Sequence, residues 1–248
     1  VSVEKHLPAI AKQVIIWTGN PLLILKIGLM NTRYSITTDV LRHEFPRSDQ
    51  ISMNWSQAYQ DLFALTMLRG KKSGKYIEIG ANHPSDLNNT VLLETTFGWK
   101  GISVEIDGNM VNLFNKERSQ PCYAADATTF DWKQAFKDAK WRTKRIDYAS
   151  VDCEPPAVTL QALKNLPHDE YRFSVITFET DIYKDGGQWR DESREFLKNL
   201  GYQLVAGDVC NGSNPYEDWW VDPEVVPETV WGPFISSQAE ARDLFIDG

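Results

Sequence analysis

Apolar residues in this chain arrive in short pulses separated by amphipathic stretches. From Tyr76 onwards the pulses are Tyr76–Ile79, Ile102–Ile106, Tyr123–Ala125, Tyr148–Val151, Phe173–Phe178 and Tyr202–Ala206. Between them apolar positions recur every three or four residues, over Asn89–Phe97, Met110–Arg118, Trp132–Lys137, Val158–Leu166 and Trp189–Leu200. Period-2 or continuous pulses predict strands, and the 3.6 period predicts helices. Their alternation predicts an α/β fold: a mostly parallel sheet with helices on both faces. Gly201, between Leu200 and Tyr202, is the expected helix stop. Trp219–Val221, followed by Pro223 and Pro227, predicts an antiparallel edge strand, and Ser236 or Ser237 caps a last helix through Phe245.

Upstream, Asn54 is a candidate N-cap for a helix carrying Trp55, Tyr59, Leu62, Phe63 and Met67 through Arg69. Residues 1–50 lack strand signals and read as helices and loops. The expected organisation is an N-terminal helical extension over 1–53 and one domain over 54–248. The apolar runs Val14–Trp17 and Leu22–Met30 are interrupted by Asn20-Pro21 and Lys26. A membrane span needs roughly 20 apolar residues, so none is expected, and no secretory cleavage pattern follows the run. This segment is expected to pack on the domain or on a second subunit of a homodimer.

Composition narrows the class. With 248 residues, 42% of them hydrophobic, the chain can bury a full core. The excess of 34 acids over 26 bases, a net charge of −8, leads to the expectation of no nucleic-acid partner. Cys122, Cys153 and Cys210 show no metal-ligand spacing, which points to a reducing, cytoplasmic setting and no zinc.

The chemistry gathers where the strands end. In an open parallel sheet, ligands sit beyond the carboxyl ends of the strands, where strand order reverses. Here the tips carry Glu78, Glu105, Asp126, Asp152 with Glu154, and Glu179 with Asp181. One acid at a solvated tip needs no special reason, but five consecutive tips do. Glu105 lies about 25 residues past Gly80, near the offset at which an acid takes ribose hydroxyls in dinucleotide folds. The turn Gly80-Ala81-Asn82-His83-Pro84-Ser85 has no G-x-G-x-x-G pattern, and Pro84 removes an N–H that a pyrophosphate would use. A dehydrogenase is therefore disfavoured. A cationic cofactor without phosphate, S-adenosylmethionine (SAM), suits a ring of acids.

The segments "SQAYQDLFAL" (56–65), "YIEIGANHPSDLNNTVLLE" (76–94), "GWKGISVEID" (98–107), "SVDCEPPAVTLQALKNLP" (150–167), "FSVITFETDIYKDG" (173–186) and "YEDWWVDP" (216–223) resemble the FkbM-type SAM-dependent methyltransferases. The resemblance covers roughly 54–223. It implies a Rossmann-like, seven-stranded methyltransferase fold. Glu78, Gly80 and Asn82, with Ala81, would hold the methionine end of the cofactor. Glu105, with Ile106, would take the ribose; Asp126, with Ala127, would take the adenine amine; Asp152 would stand at the mouth of the reaction pocket. Two positions depart from the family. Asp152-Cys153-Glu154-Pro155-Pro156 replaces an Asp-x-Glu-Gly turn, and Thr180 stands where relatives often carry His.

Methyl transfer to a hydroxyl requires alignment and removal of a proton. His83 is the first base candidate, set against a structural role in locking its loop; Asp152 and Glu179 complete the catalytic candidates. His168 falls at the opposite end of the sheet. Glu154, Asp181, Tyr183 and Trp219 are candidate acceptor-binding residues; Trp189 and Trp220 are weighed for the acceptor side as well, with core packing the favoured reading of Trp189. Four converging carboxylates could hold Mg²⁺ or Ca²⁺, although substrate contacts are the favoured reading of them. The expected function is an O-methyltransferase acting on a hydroxyl of a sugar or small metabolite. The alternative is a non-catalytic binding or scaffold protein with the same fold.

Overall fold

The computed structural model describes residues 39–212 and 214–247. The chain divides into two units, Val1–Asn31 and Thr32–Gly248, and all described residues belong to the second. The apolar 14–30 segment and the expected dimer contact lie outside the described residues.

In chain order the strands are β1 (Val40–Leu41), β2 (Lys75–Ile79), β3 (Lys100–Glu105), β4 (Cys122–Ala124), β5 (Arg145–Val151), β6 (Arg172–Glu179), β7 (Gln203–Asn211), β8 (Asn214–Val221), β9 (Ser236–Ser237) and β10 (Ile246–Asp247). The helices are α1 (Gln60–Met67), α2 (Val91–Thr95), α3 (Gly108–Glu117), α4 (Trp132–Asp138), α5 (Pro156–Asn165), α6 (Ile182–Asp185), α7 (Gln188–Asn199), α8 (Glu228–Trp231) and α9 (Ala241–Phe245). The central sheet runs β4-β3-β2-β5-β6-β8-β7-β9, and β1 pairs with β10 in a separate ribbon. Strands β2 to β6 are parallel to their neighbours among themselves, while β8 is antiparallel to both β6 and β7. This is the mixed, mostly parallel α/β sheet expected from the alternating pattern.

Alternation along each strand divides the core into two layers. Ile77, Ile79, Ile102, Val104, Ile146, Ala149, Val151, Ile176 and Phe178 face one layer, covered by residues of α4, α5 and α7. Tyr76, Tyr148, Val175 and Trp219 face the other, packed with α1, α2 and the C-terminal segment. Polar residues at the carboxyl ends (Glu78, Ser150, Asp152, Thr177, Glu179, Glu217) share the parity of this second set. The sequence pattern alone therefore aims the tip acids at one side of the sheet.

Three expectations are revised. The antiparallel strand is not at an edge: β8 lies between β6 and β7, and Trp219 and Trp220 are fully buried in opposite layers. Asn54 does not cap a long helix. The Asp61 carboxylate accepts the N–H groups of Trp55, Ser56 and Leu62 and the Ser56 hydroxyl, folding 54–59 back so that α1 begins at Gln60. Ser236 and Ser237 pair with β7 instead of capping α9. Residues 39–53 also join the main body, because Leu41, Phe45 and Ile51 belong to the same buried layer as α1. Among the described residues, no helix is long and apolar enough to cross a membrane.

Candidate active site

The chain places β3 and β4 on one side of β2, then returns to place β5 on the other. The reversal point is the β2–β5 seam, and a cleft of about 810 Å³ opens beyond its carboxyl end. The two strand tips touch there. Gly80 has φ +76°, and a Cβ at this position would lie 1.6 Å from the Asp152 carbonyl oxygen, so only glycine fits.

The turn after Gly80 is held from both sides. Glu105, at the tip of β3, accepts the N–H of Asn82 at 2.8 Å with one oxygen and the N–H of Asp107 at 2.8 Å with the other. Each oxygen keeps capacity for a further donor. Below, Asn88 donates to the Ala81 carbonyl and accepts from Thr90. Glu78 is buried and accepts from the Thr90 hydroxyl at 3.1 Å and the Ser103 hydroxyl at 3.0 Å; burial raises its carboxyl above the usual range, while Arg118 opposes that. The Arg118 guanidinium, itself buried, bonds Glu94, Asn88, Thr90, Tyr76 and the Pro84 carbonyl, so one cation clamps the whole 84–94 segment.

On the other side of the seam, three acids stand abreast on neighbouring strands. Glu179 pairs in register with Glu217 of β8, and Val151, next to Asp152, pairs with Phe178. Asp152 and Glu179 are hydrogen-bonded to each other. Burial raises both carboxyls, and the repulsion between them raises Glu179 further, since its bond to Asp152 favours its protonated form. Glu217, fully buried, accepts from Trp219 Nε1 at 2.7 Å and is pushed up to about 8 by burial.

The candidate residues sort as follows. Glu78, Gly80, Ala81, Asn82, His83, Glu105, Ile106, Asp126, Ala127, Asp152, Glu154, Glu179 and Tyr183 all line the one cleft. Asp126 is exposed at its far end, its carboxylate accepting the N–H and hydroxyl of Thr128. Trp219 does not line it: it is buried against Phe63, at 4.8 Å between ring centroids. Asp181 is buried too, and engages Lys184 in place of the cleft. Lys184 also bonds Glu154, tying the turn after β5 to α6.

His83 has a different job from the one expected. Its Nδ1 accepts the N–H groups of Ser85 (3.2 Å) and Asp86 (3.0 Å). A neutral imidazole in that arrangement carries its proton on Nε2, which can donate but not accept. His83 therefore locks the loop, the structural role that was set against its role as a base. His168 bonds the Leu163 carbonyl among Phe173 and Phe196, remote from the cleft. The acids after β5 and β6 do not converge as a cation cage: Glu154 and Asp181 are bridged by the Lys184 ammonium, and burial raises the carboxyls of Asp152 and Glu179. Among the described residues there is no group of three or more metal-ligating side chains.

Sequence reasoning missed Asn88, Asn89, Ser150, Gln57 and Leu87, which also line the cleft. Asn88-Asn89-Thr90 is a polar triplet directly before an apolar helix, a readable cap signal, but nothing in the spacing says that it faces a ligand.

No protein-family model matches the sequence, and no curated protein matches it. Solved structures do. The METTL16 MTase domain is 17% identical, with TM-score 0.49, covering 73% of this chain and 73% of that one. An rRNA methylase from Streptococcus thermophilus is 11% identical, with TM-score 0.43, covering 65% of this chain and 93% of that one. The S. pombe Dnmt2 methyltransferase is 18% identical, with TM-score 0.43, covering 59% of this chain and 47% of that one. The expectation of no nucleic-acid partner is withdrawn, because these matches include an enzyme named for rRNA. A net charge describes the whole chain and does not fix the sign of each patch.

Proposed function

We propose that this chain binds SAM and acts as an O-methyltransferase of the FkbM type on a hydroxyl of a sugar or small metabolite. One observation carries the reading: the Gly80 turn, the Glu105 carboxylate and the Asp152–Glu179 pair open into a single cleft. No lysine or arginine lines it among the described residues, which suits a cofactor with a sulfonium and no phosphate.

Glu105 would accept the ribose hydroxyls. Ile106, 78% exposed, offers an apolar face beside Asp126 and Ala127 for a purine ring. The bound cofactor would supply an electrophilic methyl group. Asp152 would take the acceptor's hydroxyl proton as the oxygen bonds the methyl carbon and that carbon's bond to sulfur breaks, which leaves S-adenosylhomocysteine. Glu179 holds Asp152 in place by donating to it. Tyr183 and Glu154, at the exposed end, would meet the acceptor.

Calorimetry with S-adenosylhomocysteine tests the cofactor. Glu105→Ala is expected to weaken binding by roughly 1.5–3 kcal/mol, the range for hydrogen bonds to a charged group. Unchanged affinity overturns the assignment. Transfer of labelled methyl groups from SAM to a panel of polyhydroxylated acceptors tests the reaction. Binding without any transfer would favour the scaffold alternative.

A further inference from the structure

Thr177, Tyr148, Ser150 and Asn89 form a chain of hydrogen bonds running outward along one face of the sheet. Tyr148 Oη and Thr177 Oγ1 lie 2.7 Å apart, Tyr148 and Ser150 share a hydrogen bond, and Asn89 Nδ2 donates to Ser150 Oγ at 2.9 Å. There the chain stops. Asn89 Oδ1 has no partner, although the residue is only 7% exposed. A buried amide oxygen without a donor is costly, and each such group in a folded protein calls for a reason.

The surroundings supply one. Asn89 and Ser150 both line the cleft, and among its described lining residues only Asn89 carries such an orphaned buried oxygen. Asn88 next to it is committed: it donates to Ala81 and accepts from Thr90 and Arg118. Ser150 faces Glu78 in the register of β5 against β2, so the Asn89 amide is anchored on the seam at the foot of the Gly80 turn. The nucleoside-binding acids Glu105 and Asp126 lie at the tips of β3 and β4, away from that seam. A group reaching Asn89 must donate hydrogen bonds in a place where Glu78 offers only acceptors. An ammonium, with three N–H donors and a positive charge, meets both demands; a hydroxyl donates only once.

We propose that Asn89 Oδ1 receives the α-ammonium group at the amino-acid end of the cofactor, an inference that rests on the SAM reading above. The amide is held for that task by Ser150, which is held in turn by Tyr148 and Thr177. This gives the orphaned oxygen its donor and gives the polar chain through an otherwise apolar layer a purpose.

The test is calorimetry on the full chain with three probes: S-adenosylhomocysteine, its analogue lacking the amino group, and 5′-methylthioadenosine, which lacks the whole amino-acid end. Asn89→Leu is expected to bind S-adenosylhomocysteine about tenfold or more weakly while binding 5′-methylthioadenosine as the wild type does. Asn89→Asp keeps an acceptor oxygen and is expected to retain or improve binding of S-adenosylhomocysteine. Wild-type protein should lose a similar factor when the ligand's amino group is removed, a comparison that stands even if the leucine variant fails to fold. Equal losses for all probes would make Asn89 a scaffold residue and overturn the proposal. So would an unchanged affinity in Asn89→Leu, or a loss in Asn89→Asp, which would mean that the amide N–H faces the ligand. Wild-type protein that binds none of the three would instead remove the SAM reading itself, and this proposal with it.

Discussion

At the scale of single residues, Asp152 and Glu179 look interchangeable in sequence but take different roles in the proposed mechanism. Burial raises both carboxyls, and Glu179 also faces the charges of Asp152, Asp181 and Glu217. Glu179→Gln keeps a hydrogen-bonding partner for Asp152, so turnover is expected to fall by less than about tenfold. Asp152→Asn removes the proposed base, and general-base catalysis is worth about 10²–10⁴ in rate. Single-turnover rates at saturating cofactor check both. Similar losses in the two variants would contradict this division of roles. The residue types at the tips were readable in the sequence because each follows an apolar pulse. Their charge states were not, since these depend on which strands become neighbours. His83 shows the same limit: only the structure reveals that backbone N–H groups occupy its Nδ1.

At the scale of elements, the insertion of β8 between β6 and β7 has an electrostatic consequence. It sets Glu217 in register with Glu179 inside the sheet, where it is fully buried. Burial is the largest cause of the rise of its carboxyl, and the charges of Asp152 and Asp218 add to it. The Glu217 carboxyl rises from an ordinary 4.5 to about 8. The folded state therefore binds more protons than the unfolded state between those values. The slope of stability against pH is negative there, so this group's contribution is complete below about 4.5 and lost as pH rises through about 8. Glu217→Gln keeps an acceptor for Trp219 and cannot ionise. It is expected to match the wild type in denaturant midpoint near pH 5 and exceed it near pH 9, by an amount of the order of a few kcal/mol. A constant difference across that range would show that Glu217 is not charged by base. An edge strand was expected here because the two prolines after Val221 mark an end. Prolines limit where a strand stops, however, and say nothing about what flanks it. The tryptophan pair was the better signal, because two consecutive large apolar residues on alternating faces need a covered strand.

The whole molecule joins pieces that are distant in sequence. The ribbon of β1 and β10, together with the Arg242–Asp39 ion pair at 2.7 Å, ties the described N-terminal residues to the C-terminus. Phe45 and Ile51 complete the layer over α1. Truncation before Asn54 is therefore expected to lower the thermal midpoint and broaden the transition, whereas the sequence placed a boundary there; a calorimetric scan unchanged by the cut would restore that boundary. The packing of Leu41, Phe45 and Ile51 was not legible in the sequence, because residues 39–53 carry their few apolar side chains without a period. The same global view bears on the cofactor. Glu105, Asp107 and Asp126, at the tips of β3 and β4, give the cleft a negative field, and no lysine or arginine is among its described lining residues. SAM carries a sulfonium charge that S-adenosylhomocysteine lacks, so only SAM gains from that field beyond what the two share. Salt shortens the reach of such a field, from about 10 Å at 0.1 M to about 3 Å at 1 M. Raising the salt from about 0.05 M to about 0.5 M is expected to weaken SAM binding several-fold more than binding of S-adenosylhomocysteine. Affinities with the same salt dependence would place the sulfonium outside the field of these acids, and with it the site of methyl transfer.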